Sequence, residues 1–292
     1  TCIGALRRQQ PRHRPVPECF SVPCHRSSLS PPSSRSYRGD NYSDAGGYFD
    51  LPHLRRMAKL ANFTLDESIP LRPSHLPIFA ERGYPHGETV FRMLGFSSVS
   101  VLDYSAFEGA EVIFDLNNPE LPADLEQQFD VIIDHGTLEH VFHLPNALNN
   151  VYRMLKEDGR AVFSAPPGNF YDHGFYMLQP TLFSDWLTAN QWQVDSIEVV
   201  QFTPNQETEP CFFADYEPGL FDSVSYGKMD NKLYSTVSVA TKIKGATGNV
   251  CPQQGAYARQ AGWVDAAETP CQRELAVPGF MGRMRALFQR AP

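Results

Sequence analysis

Three features of this 292-residue chain predict an α/β fold with a doubly wound, mostly parallel sheet. Short runs rich in Val and Ile alternate with segments of helical periodicity. Two such runs end in an acid, Asp103 in "VLDYS" and Asp115 in "IFDLNN". A third, "FDVII", is followed at once by Asp134, His135, Glu139, His140 and His143. In an open α/β sheet, ligands bind in the crevice outside the carboxyl ends of the strands. Ionisable residues crowded onto the end of an apolar strand fit that position.

The elements follow in order. Residues 1–45 are rich in Arg, Ser and Pro and nearly free of acid before Asp40, so they are expected to be disordered. The same composition fits an organellar transit peptide, although no amphipathic helix pattern is visible. The chain starts at Thr1 rather than Met, which fits a fragment or a processed product. Residues 46–244 are expected to form the folded domain. Its first helix lies in "LPHLRRMAKLANF", with Leu51, Leu54, Met57, Ala58 and Ala61 on one face.

"HLPIFAERGYPHGETVFRMLGF" reads as a short strand over 77–80, a glycine-containing turn, and a helix from Gly87 closed by Gly95. Strands then end at Asp103 and Asp115, and "FDVIIDHG" supplies the next. After it Leu144, Ala147, Leu148, Val151 and Leu155 keep the helical period, with Pro145 in the first turn and Gly159 as the expected stop. "GRAVFSAP" is a strand and "PTLFSDWLTANQW" a helix entered through Pro180. "VDSIEVVQF" and "KLYSTVSVATKI" are late strands, the last expected to run antiparallel. The whole is a Rossmann-like arrangement without internal repeats. Residues 245–292 read as a flexible tail, with a short basic amphipathic stretch over 281–288.

Composition limits the function. A hydrophobic content of 42% and 12% aromatics allow a sizeable core, while a net charge of −8 argues against a nucleic-acid binder. No apolar stretch reaches the roughly 18 residues of a membrane span. The six cysteines show no CxxC pair and no partnered His spacing, so neither a disulfide framework nor a metal site is expected. Reduced thiols and a cytoplasmic location are the default reading.

A carboxylate at the end of a second strand can accept both ribose hydroxyl protons of a nucleoside, and one after the third strand can accept from an adenine amino group. Either acid could instead cap its own turn. Two at matching ends of adjacent strands favour a nucleoside site. His140 and His173 would face the same crevice, and a histidine has a pKa suited to taking a proton from a hydroxyl or amine. The alternative is that Glu139 and His140 only fix the loop. The segment 203–231 carries Phe212, Phe213, Tyr216, Phe221 and Tyr226, too many aromatics for a solvated loop, and reads as a substrate-covering lid or as local core.

From "SVLDYSAFEGAEVIFDLNNPELP" through "QFDVIIDHGTLEHVFHLPNALNNVYRMLKEDGRAVFSAP" the chain resembles class I S-adenosylmethionine-dependent methyltransferases. It is most similar to a bacterial branch found beside glycosyltransferase and polysaccharide genes. The "GTLEHV", "MLKEDG" and "NFYDHGFYMLQPTLFSDW" elements carry the likeness, which covers residues 70–243. The resemblance implies that Asp103, with Tyr104 beside it, holds the ribose of S-adenosylmethionine. Asp115 and Leu116 would border the adenine, and Asp134, His135 and Gly136 would line the methionine end. Methyl transfer to a small-molecule or glycan-type acceptor is the function expected from it, and His140 and His173, on their own chemistry, are the candidate catalytic residues.

The usual glycine-rich loop after strand one is replaced by "FAERGYPHG", where Gly83 would have to serve the cofactor. A scaffold protein that kept the fold and lost the cofactor is therefore the rival reading. NAD is disfavoured because no GxGxxG follows the first strand.

Overall fold

The computed structural model describes residues 3–8, 51–60, 63–74, 77–106, 110–202 and 212–255. Among these, eight strands form one sheet: β1 (Ile3–Arg8), β2 (Phe96–Asp103), β3 (Val112–Ile113), β4 (Phe129–His135), β5 (Leu155–Ala165), β6 (Gln193–Phe202), β7 (Phe212–Asp215) and β8 (Leu233–Thr241). Their order is β3-β2-β1-β4-β5-β8-β6-β7. From the pairings, β2, β3, β4, β5 and β6 point one way, while β1, β7 and β8 run against them. The expected α/β fold with a late antiparallel strand is present.

β4 and β5 are buried on both sides, as their apolar runs at 131–133 and 161–163 require. Ile132 and Phe163 join one cluster with α4 (Leu144–Met154) and α5 (Pro180–Ala189). Val131, Ile133 and Val162 join the other with α1 (Leu51–Leu60) and α3 (Gly87–Met93). One-residue alternation along β4 thus serves both layers.

The sheet's centre corrects two expectations. Residues 77–80 form a helical turn, α2 (Pro77–Ala80), in which the Glu81 amide donates to the Pro77 carbonyl at 2.9 Å. The place between β2 and β4 is filled by β1, antiparallel to both: Ile3 lies opposite Leu102 on one side and Asp134 on the other. Residues 3–8 were expected to be disordered. The ladder hydrogen bonds offered by two strand edges outweigh their poor composition. The rest of the 1–45 segment lies outside the described residues.

Periodicity also overran one helix. α4 ends at Met154 rather than Gly159, and Leu155 already pairs with Phe129. The last carbonyls of α4 are satisfied from across the fold: Lys242 Nζ donates to the carbonyls of Tyr152 at 2.9 Å and Leu155 at 2.6 Å. A cation suits that end of a helix dipole. Residues 156–159 loop out before the β5 pairing resumes at Arg160, with Asp158 at φ 63°.

The tail does not begin at 245. Asn190 Oδ1 accepts from the Val250 amide and the Thr247 hydroxyl, each at 2.9 Å, and Trp192 Nε1 donates to the Thr247 carbonyl at 2.8 Å. Gly248 lies so close to Tyr152 that a Cβ would meet that side chain at 2.5 Å. Residues 246–250 therefore belong to the domain, and the 281–288 stretch lies outside the described residues. Within the expected lid, 212–215 are strand β7, and Tyr216 contacts the core and shares a 2.8 Å hydrogen bond with Thr181. Residues 203–211 lie outside the described part.

Because β1 carries ladder bonds on both edges, deleting residues 1–8 should destabilise the whole domain. Each kcal/mol lost lowers Tm by about 2–4 °C in a domain of this size, so a drop of at least about 10 °C is expected in a thermal melt. An unchanged melt would show that the sheet closes without β1.

Candidate functional site

The carboxyl ends of β2, β4 and β5 lie at one edge of the sheet, with β3 beside β2. Asp103 closes β2 and is nearly buried; its Oδ1 accepts the Ser105 amide at 3.1 Å. Tyr104 beside it is 73% exposed. Asp115 Oδ1 accepts from the Asn117 amide and side-chain amide, at 2.9 and 2.8 Å. Each acid therefore caps its own turn through one oxygen, an arrangement short Asp side chains favour. Leu116 is core, among Leu102, Phe114 and Leu138.

The loop that carries Asp115 and Leu116 is held from α4. Asn150 Nδ2 donates to the carbonyls of Leu116 at 3.2 Å and Asn118 at 2.8 Å. Asn146 Nδ2 donates to the Asn117 carbonyl at 2.8 Å. Neither asparagine was singled out from the sequence. The available signal was their i,i+4 spacing, with Asn150 falling on the apolar face of an amphipathic helix.

After β4 the chain turns sharply. Asp134 has no exposed surface, and its Oδ1 accepts the amides of Thr137 at 3.0 Å and Leu138 at 3.2 Å. The turn needs Gly136, whose φ is 92°. Asp134 thus fixes the turn after β4 from a fully buried position. His135 and Gly136 are half-buried at the strand end. Burial first, and the neighbouring Glu139 charge second, push the Asp134 carboxyl well above its ordinary pKa of 3.8.

Glu139 follows in a 3₁₀ turn (Leu138–His140) and is also without exposed surface. Its backbone carbonyl accepts two amides from the loop after β5, Phe175 at 2.8 Å and Tyr176 at 3.1 Å. Gly174 sits against the same residue so tightly that a Cβ would meet the Glu139 carbonyl oxygen at 2.8 Å. This clasp brings His173 to Glu139, with Nε2 3.5 Å from Oε1. The His140 and His173 rings meet edge to face at 4.9 Å. Burial lowers the His140 pKa, against the pull of the Glu139 charge.

The two histidines proposed for catalysis therefore come together, with a buried acid behind them. Phe142 and Phe175, both exposed and 5.6 Å apart, extend the apolar rim. His143 is exposed. Gly83 does not join this group. It lies in the turn after α2, its amide donating to the Ala80 carbonyl at 3.0 Å, so the element directly before it is a helical turn and not a strand. The reason for assigning it to the cofactor fails with the strand that was expected there.

Residues 82–210 match a family described as a methyltransferase domain, and this span contains β2 to β6 and both histidines. The methyl donor of such a domain is S-adenosylmethionine. No curated protein sequence matches the chain. Among solved structures, a SAM-dependent methyltransferase from Thermotoga maritima is 18% identical with a TM-score of 0.32, over 46% of this chain and 65% of that one. A Bacillus halodurans protein assigned as a methyltransferase is 11% identical with a TM-score of 0.30, over 46% and 71%. No helix among the described residues is long and apolar enough to cross a membrane.

The buried acid makes stability pH-dependent. A carboxyl whose folded pKa lies above its unfolded value contributes fully below the unfolded value, and that contribution is lost as pH rises through the folded one. An Asp134→Asn variant keeps an oxygen for the two amides and cannot ionise. Its denaturant midpoint should gain on the wild type as pH rises from about 4 to 8. Parallel pH profiles would show that Asp134 does not hold a proton in the folded state.

Proposed function

We propose that the domain at 82–210 moves a methyl group from S-adenosylmethionine to a small-molecule or sugar-containing acceptor. The observation that carries this reading is the coincidence of the methyltransferase-domain match with His140 and His173, paired over a buried acid at the strand ends. The donor supplies a methyl group on a positively charged sulfur. The chain's own work is to align the acceptor heteroatom with it and to receive the proton that the heteroatom gives up. His173 is the better placed of the two, because Glu139 stands 3.5 Å away to balance the charge it gains. The exposed aromatic rim of Phe142 and Phe175 suits the face of a sugar or a small ring.

Asp103 is proposed to hold the ribose, and the loop pinned by Asn146 and Asn150 to border the adenine. His135 and Gly136 are proposed to flank the methionine end. The sequence likeness to the branch found beside polysaccharide genes supports a sugar-containing acceptor. A cytoplasmic site of action belongs to the same proposal.

One observation favours a scaffold instead. The strand between β2 and β4 runs the opposite way, so its carboxyl end, where a glycine-rich loop would cradle the donor, lies at the far edge of the sheet. Calorimetric titration with S-adenosylmethionine separates the two readings. Binding is expected, and Asp103→Ala should weaken it at least about tenfold, since hydrogen bonds to a charged group contribute about 1.5–3 kcal/mol each. His173→Gln should leave donor affinity nearly intact while lowering turnover about 10²- to 10⁴-fold. No binding even at high ligand concentration would establish the scaffold reading.

A further inference from the structure

We propose that Glu139, His140 and His173 form a binding site for one divalent transition-metal ion of the Zn²⁺ kind, at the carboxyl ends of β4 and β5. Each residue offers one ligand atom, and these atoms all lie within 4.8 Å of one another. Cysteine spacing pointed away from a metal, but this set uses no cysteine.

Glu139 is the centre of the site. Both carboxylate oxygens are buried and neither has a hydrogen-bond partner. A buried carboxylate left this way is costly and is normally paired or bound to a metal. His173 approaches only one of the two oxygens, and its ring is a third exposed. The neighbouring carboxyl, Asp134, has its own Oδ1 committed to the turn and offers no positive charge.

Geometry agrees. Bonds of about 2.0–2.2 Å to tetrahedral nitrogen and oxygen ligands place those ligands roughly 3.3–3.6 Å apart. Glu139 Oε1 and His173 Nε2 already stand at 3.5 Å. The partly buried His140 ring stands edge to face with His173 at 4.9 Å and brings the third ligand atom to within 4.8 Å of the other two. Two imidazoles with one carboxylate suit Zn²⁺, Mn²⁺, Fe²⁺ or Co²⁺ better than Mg²⁺ or Ca²⁺, which favour oxygen ligands. Three protein ligands leave a coordination position open, as in metal sites that act on a substrate.

Binding of the ion does not depend on the methyl-transfer reading; only the role that follows rests on it. An acceptor hydroxyl in the open position would have its pKa lowered by the cation and release its proton to water. The resulting oxygen lone pair forms the new O–CH₃ bond, and the electron pair of the broken C–S bond returns to sulfur. His140 and His173 would then serve as ligands, and their loss would lower turnover for that reason.

The test is a titration of the full chain with Co²⁺ alone, without donor or acceptor, followed by its visible d–d absorption. One equivalent should generate the band, and Zn²⁺ should abolish it. Replacement of either histidine by Ala should weaken Co²⁺ binding at least about tenfold, and the exposed His143→Ala should not change it. Glu139→Gln should also lose the band. Because that variant alters a buried group, the two histidine variants, checked for native circular dichroism, decide the matter. No band at stoichiometric Co²⁺, or a band unchanged in both histidine variants, overturns the site. Donor titration of the same preparations reports separately on methyl transfer, so either proposal can fail while the other stands.

Discussion

The constraint on which the site depends is the burial of Glu139. Its backbone carbonyl holds the loop after β5 through two amides, and Gly174 is required for that loop to come so close. Its side chain lies in the interior with both oxygens unbonded, so any positive group that reaches it is strongly favoured. Through this one residue the end of β4 is joined to the loop after β5, and His140 and His173 face each other. A polar group left unpaired inside a protein is a reservoir of binding energy, which is why such groups gather at functional sites.

Around that hub the strand-end acids divide their labour. Asp134 is spent on its own turn, with burial keeping its proton at high pKa. Asp103 and Asp115 also steady their turns, yet each lies nearer the surface than Asp134. The sheet beneath them is stiff because β1 bridges β2 and β4 and both faces are covered by helices.

Much of the scaffold was legible because its causes are local. α1, α3, α4 and α5 stand where apolar residues repeat at helical spacing, and Pro145, Pro180 and Gly95 mark ends as their backbone preferences require. β2, β4, β5, β6 and β8 stand where Val, Ile and other apolar residues cluster or alternate with small polar ones. The errors share one origin. Leu155 keeps the period of α4 yet pairs with Phe129; residues 77–80 look like a strand yet find no neighbour; residues 3–8 look unstructured yet lie between two strand edges. For Leu155 and residues 3–8 a long-range partner, which local pattern does not encode, overrode propensity, whereas residues 77–80, lacking one, closed a local helical turn.

The sequence by itself determined the α/β class, the strands that carry Asp103 and Asp134, and the presence of histidines after two of the strand ends, because hydrophobic period and strand-end chemistry are written in adjacent residues. Only the tertiary structure decided that Asp134 is buried, that Asn146 and Asn150 pin the loop after β3, and that Lys242 closes α4. It alone joined Glu139 and His140 to His173, more than thirty positions away in the chain, since a carboxylate's partners depend on which backbones are brought into contact and not on what precedes it in sequence.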